Sequence, residues 1–99
     1  HAFTRALAVD CARDNIRVNS ISPGSIRTPL LEFAAKELTE PGGNVEDTLI
    51  GFGEAHAIKR IGTVEEIGAL VAYLVGPDAG FCIGSDFLID GGLKAKLGV

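Results

Sequence analysis

Apolar residues near the start of the chain recur at steps of three and four. Phe3, Ala6, Leu7 and Cys11 fall on one side while Arg5, Arg13 and Asp14 fall elsewhere, so an alanine-rich helix with one apolar stripe is predicted. Asp14-Asn15 ends it, because asparagine tolerates the left-handed backbone of a helix stop. The rhythm then changes. Ile16 to Ile21 alternates branched apolar and polar side chains as a short strand does. Helix, tight turn and strand make the αβ half of a parallel-sheet repeat. Ser22-Pro23-Gly24 stops the strand, since proline cannot donate to a ladder and glycine admits angles closed to other residues.

From Thr28 to Lys59 the pattern loosens around Pro29, Pro41-Gly42-Gly43, Gly51 and Gly53, with helical stretches predicted over 31–38 and 45–56. Such a segment is expected to be mobile. Thr63 and Glu66 are spaced for a capping box ahead of Ile67, Leu70, Val71 and Leu74 on one helical face. Gly76-Pro77-Asp78 closes that helix. Phe87 to Ile89 is the length of a buried strand, and Asp90-Gly91-Gly92 breaks the chain after it. No internal repeat or low-complexity segment is present.

Composition narrows the function classes. A chain of 99 residues with 46% apolar and 22% charged residues is one small globular domain rather than an acidic tail. The net charge of −4 argues against nucleic acid as a partner. No apolar run reaches the roughly 18 residues of a membrane span, and no signal peptide opens the chain, so a cytoplasmic protein is expected. Cys11 and Cys82 sit in no metal-binding or redox spacing and read as buried free thiols. The chain starts at His1 in full helical rhythm with no capping residue ahead of it, and is expected to be part of something longer.

The best site candidate is the loop from Ser22 to Thr28, because ligands of open α/β sheets bind beyond the carboxyl ends of parallel strands. Gly24 lets a flat ligand approach the main chain, the amides beyond it are donors, and Thr28 adds a hydroxyl. The alternative is an ordinary strand-to-loop turn. His1 and His56 have no nucleophile or carboxylate at a telling spacing, so neither a triad nor a metal site is expected. Arg60 beside Glu65 and Glu66 reads as a local ion pair at a helix start. Gly51-x-Gly53 and Gly80-x-x-x-Gly84 read as turns rather than phosphate loops.

Three motifs carry a resemblance. Asn19-Ser-Ile-Ser-Pro23-Gly24-Ser-Ile26-Arg-Thr28-Pro, then Arg60-Ile-Gly62-Thr-Val-Glu65-Glu66-Ile67, then Gly84-Ser-Asp-Phe-Leu-Ile-Asp90-Gly91-Gly92 resemble, in order and spacing, the C-terminal part of a short-chain dehydrogenase/reductase. The resemblance covers residues 1–99 but only about the last 40% of a typical family domain. It implies an α/β fold, the C-terminal portion of a Rossmann-type doubly wound parallel-sheet domain, incomplete without its N-terminal half. Its element order would be helix, strand, lid helices, helix, strand.

The resemblance also implies an NAD(P)-dependent oxidoreductase acting on a small alcohol or carbonyl substrate, in which NAD and NADP are not distinguishable from this segment. Pro23, Gly24, Ile26 and Thr28 would form the nicotinamide side of the cofactor site: Pro23 and Gly24 shaping its wall, the Ile26 amide meeting the carboxamide, and Thr28 bonding the carboxamide or a phosphate. Residues 30–56 would be the substrate lid, with Leu30, Leu31 and Phe33 as pocket-wall residues or as pins to the core. No catalytic residue is expected, because the tyrosine and lysine of the family's Tyr-x-x-x-Lys pair are absent and the only tyrosine, Tyr73, has Pro77 four residues on. The 99 residues alone are expected to be inactive. Ile83 stands where the family often has threonine. A homo-oligomer, dimer or tetramer, is implied for the full-length protein. A non-catalytic relative acting as an assembly module with full-length subunits is the alternative.

Overall fold

A computed structural model describes residues 1–97. Its elements in chain order are α1 (Ala2–Ala12), β1 (Ser20–Pro23), α2 (Pro29–Leu38), α3 (Val45–Gly53), α4 (Val64–Val75), a 3-10 turn (Pro77–Ala79), β2 (Asp86–Ile89) and α5 (Leu93–Leu97). They divide into two compact units. One holds His1–Ser22 with Gly68–Leu88, and the other holds Pro23–Ile67 with the residues from Ile89 on.

In the first unit, Asn15 ends the turn after α1 with φ of 60°, the left-handed stop its residue type predicts. The strand starts later than the alternation of 16–21 suggests. Residues 16–19 lie outside the strand: Val18 O accepts from Gly84 N–H, and the Asn19 side-chain amide donates to Cys82 O at 2.9 Å and accepts from Ser85 N–H at 3.1 Å. β1 and β2 then pair in parallel, with Ser20 N–H on Ser85 O at 3.0 Å. Arg17 gathers the carbonyls of Leu74, Ala79 and Gly76 at 2.6, 2.8 and 3.2 Å, bonding one acceptor of the last turn of α4 and two of the turn that follows it.

Burial in α1 departs from the expected stripe. Ala8 is buried, while Phe3 is 77% exposed and Leu7 is also exposed. In α4 only Leu74 of the expected face is buried. Cys11 and Cys82 are free, as expected, but half-buried rather than buried. His1, which has no carboxylate at a telling spacing in the sequence, has its Nε2 3.3 Å from Asp86, which also accepts from the hydroxyls of Ser20 and Ser22. No local pattern hints at that pair, since the two residues lie at opposite ends of the chain.

In the second unit, α2 packs against α3, Ala35 of α2 and Leu49 of α3 are buried, and the Thr39 and Thr48 hydroxyls bond at 2.7 Å. α3 stops at Gly53, short of the expected His56. A Cβ on Gly53 would stand 2.6 Å from the Cα of Arg60, so the chain doubles back there. Gly51 lies inside α3 rather than in a turn. The capping box at the start of α4 forms as predicted: Glu66 N–H donates to the Thr63 hydroxyl at 3.1 Å, and Thr63 N–H donates to Glu66 at 3.0 Å. α5 has no counterpart among the predicted elements; its first turn is held by Asp90, which accepts from Gly92 and Lys94 N–H at 3.0 Å each. Among the described residues no helix is long and apolar enough to cross a membrane.

Candidate functional site

β1 runs through Pro23 instead of stopping before it. In a parallel ladder alternate residues donate to one neighbour, and the donors toward β2 are those of the even-numbered residues, ending with Gly24 N–H on Ile89 O at 3.0 Å. The missing N–H of Pro23 therefore falls on the side away from β2. Gly24 follows at a position that excludes any side chain. A Cβ there would stand 2.9 Å from both the Cα of Asp90 and the Nε2 of His56.

Beyond Gly24 the loop is pinned at successive peptides. Ser25 N–H donates to His56 Nε2 at 3.1 Å, Gly62 N–H donates to Ser25 O at 2.8 Å, and Arg27 N–H donates to Gly62 O at 2.9 Å. Ile26 and Gly62 thus form a parallel bridge in which Ile26 turns its own N–H and C=O away from Gly62. Neither the Ile26 nor the Thr28 amide donates to a described residue. The Thr28 hydroxyl caps α2 by accepting from Leu31 N–H at 3.2 Å, which leaves its proton free to donate. The loop therefore presents two amide donors and one hydroxyl donor.

Gly24, Ser25, Ile26, His56, Ile67 and Asp90 are among the residues lining a cavity of about 90 Å³ beside this loop. Asp90 is 8% exposed, and its carboxyl is held below the usual range chiefly by the Lys94 N–H. His56 is 2% exposed. Its Nε2 accepts from Ser25, which places the ring proton on Nδ1, and Nδ1 finds no partner among the described residues. His56 is the residue that sequence reasoning missed, because its partner is a backbone amide 31 positions away.

Two exposed ion pairs flank the loop. Arg27 grips Glu46 of α3 with both guanidinium nitrogens at 2.8 and 3.0 Å; the bond raises the arginine's pKa and lowers the glutamate's. Arg60 grips Glu66 in the same way at 2.9 Å twice, which holds the Glu66 carboxyl down at about 2. The local pair expected there forms with Glu66, not Glu65. Of the three residues expected to wall a pocket or pin a lid, Leu31 is half-buried, while Leu30 is 78% exposed and Phe33 is also exposed. The buried residue of α2 is Ala35, not Leu30 or Phe33. Among the described residues no group of three histidine, cysteine or acidic side chains is arranged to hold a metal.

A family model described as enoyl-(acyl carrier protein) reductase matches residues 1–94. The chain belongs to the short-chain dehydrogenase/reductase family. It is 41% identical over 98 residues to L-fucose dehydrogenase of Mus musculus, covering 98% of this chain and 34% of that protein. It is 36% identical over 95 residues to cyclohexanol dehydrogenase of an Acinetobacter strain, covering 95% and 32%. Among solved structures it is similar to L-sorbose reductase from Gluconobacter frateurii complexed with NADPH and L-sorbose, with a TM-score of 0.87 and 38% identity over 93% of this chain and 36% of that one. A 4-hydroxyisoleucine dehydrogenase complexed with NADH superposes with a TM-score of 0.77 and 33% identity over 95% and 35%. The chain spans about a third of the length of the curated relatives it matches. The fold is accordingly a portion of the Rossmann-type parallel-sheet domain of these dehydrogenases.

Proposed function

We propose that this chain is the carboxy-terminal part of an NAD(P)-dependent oxidoreductase that moves hydride between a nicotinamide and the carbon of a small alcohol or carbonyl compound. The observation that carries the proposal is the loop after β1: Gly24 has no room for a side chain, and the Ile26 and Thr28 amides are unspent at the carboxyl end of a parallel strand. These residues fit the nicotinamide end of the cofactor. Relatives solved with NADPH and with NADH support both cofactor choices.

The bound nicotinamide supplies or accepts the hydride. The protein's own part in this segment is to place it. Pro23 and Gly24 would shape the wall of the nicotinamide site, the Ile26 N–H would meet the carboxamide, and the Thr28 hydroxyl would donate to the carboxamide or a phosphate while still capping α2. Residues 30–56 act as the substrate lid, with Leu30, Leu31 and Phe33 toward the substrate and the Arg27–Glu46 pair fastening α3 to the loop. The exposure of Leu30 and Phe33 supports that role over pinning the lid to a core.

The test uses the full-length protein. Purified enzyme incubated with NADH or NADPH and a panel of aldehydes and ketones is expected to oxidise one cofactor, and the 99 residues alone to oxidise neither. Failure of the full-length protein with both cofactors, in both directions, overturns the proposal. A second reading, an assembly module docking on full-length subunits, is favoured by the exposed Phe3, Leu7 and Val9 of α1. It predicts that the segment co-elutes with full-length homologous subunits on sizing chromatography.

A further inference from the structure

We infer that His56 is a positioning residue that sets the direction of the Ile26 amide through Ser25; the inference rests on the nicotinamide reading of the loop. Two successive peptide planes are involved. The Ser25 carbonyl and the Ile26 N–H belong to the same trans peptide, so they point in opposite directions. Gly62 holds that carbonyl at 2.8 Å, which turns the Ile26 N–H outward. The preceding plane carries the Ser25 N–H, and its acceptor is His56 Nε2 at 3.1 Å. With both planes held, the two backbone torsions of Ser25 are fixed. Remove the imidazole and the Gly24–Ser25 peptide loses the bond made by its N–H; the bond of Gly24 N–H to Ile89 O holds the plane before it, and the missing Cβ of Gly24 makes rotation between the two planes easy.

Geometry around the ring shows that its own place is fixed. His56 is 2% exposed, and its N–H donates to Gly53 O at 3.0 Å. Ile58 N–H donates to Gly91 O at 3.0 Å, which ties the residues after the ring to the turn at Asp90-Gly91-Gly92. A Cβ on Gly91 would stand 3.6 Å from the His56 Cβ, so the turn leaves room for little more than a methyl group beside this side chain. The bond the imidazole makes is to a main-chain amide, and its role is to hold that backbone. A glutamine reaches a comparable distance and presents a carbonyl acceptor, whereas a leucine of similar bulk presents none.

The experiment compares wild type, His56→Leu and His56→Gln in the full-length enzyme. His56→Leu leaves the Ser25 N–H unpaired, and is expected to raise the cofactor KM about tenfold while the substrate KM at saturating cofactor stays near wild type. His56→Gln is expected to restore most of that loss. Equal cofactor KM in wild type and His56→Leu, with only thermal stability lowered, overturns the inference, as does failure of glutamine to rescue a folded enzyme. Should His56→Leu not fold, the cofactor-free wild type decides: its ¹⁵N spectrum is expected to show His56 protonated on Nδ1 and bare on Nε2, and a proton on Nε2 overturns the inference. A wild type that neither binds nor oxidises NADH or NADPH fails the functional reading itself, a result distinct from any of these.

Discussion

Gly24 lies so close to His56 that a Cβ on it would stand 2.9 Å from the ring Nε2, with the Cα of Asp90 at the same distance on another side. The ring can shift only by breaking its bond to Ser25, and the Asp90 backbone cannot shift without dragging the turn that starts α5. Gly24→Ala is therefore expected to destabilise the full-length protein by about 1–3 kcal/mol through overpacking. Denaturant unfolding measures this, and a change within error of zero contradicts the packing described.

Thr28 caps α2, and the cofactor contact proposed for its hydroxyl is separable from that cap. Thr28→Ala removes the cap on Leu31 N–H and is expected to cost about 1 kcal/mol. Thr28→Asp restores a capping acceptor but not a hydroxyl. Stability is expected to recover in Thr28→Asp while cofactor affinity does not, and recovery of both shows that the hydroxyl makes no cofactor contact.

Glu66 predicts a specific pH dependence. The Arg60 guanidinium, and then the Thr63 N–H, hold its carboxyl at about 2 against an ordinary value of 4.5. The folded pKa is depressed, so this contribution is complete above 4.5 and is lost as pH falls through about 2. Unfolding measured across that window in wild type and Glu66→Gln is expected to show a steeper acid loss in wild type. Because the pair is exposed, the difference is expected to shrink in high salt; parallel pH profiles contradict the pairing.

Arg17 binds three carbonyls that lie near the carboxyl end of α4. Arg17→Ala takes this partner from Leu74 O, while Gly76 O and Ala79 O still accept from Ala79 and Cys82 N–H, and is expected to cost about 2 kcal/mol, with faster amide exchange in the last turn of α4. Arg17→Lys, with one nitrogen in place of a fork, is expected to recover only part of the loss.

Local chemistry in the sequence forecasts the local structure well. The Thr63–Glu66 box, the left-handed Asn15 and the Gly76-Pro77 stop each follow from a residue's own backbone preference, and each is found where its spacing puts it. Burial is less legible. The stripe of Phe3, Leu7 and Cys11 is correct as a periodicity, yet burial falls on Ala8, because which side of a helix is covered depends on what lies against it. The start of β1 is displaced because Val18 and Asn19 spend their bonds on Gly84, Cys82 and Ser85, choices that alternation does not encode. In the candidate site the Pro23–Thr28 loop is visible as a motif, while His56 is not, since a side chain that accepts from a distant backbone amide leaves no spacing to read.

The most direct test of the nicotinamide-side loop is a titration of NADH and NADPH into ¹⁵N-labelled full-length protein, followed at the amides of Ile26 and Thr28. One cofactor is expected to saturate the protein and shift both amides, with Gly24 and Ser25 moving alongside. Saturable cofactor binding that leaves residues 24–28 unchanged contradicts the assignment.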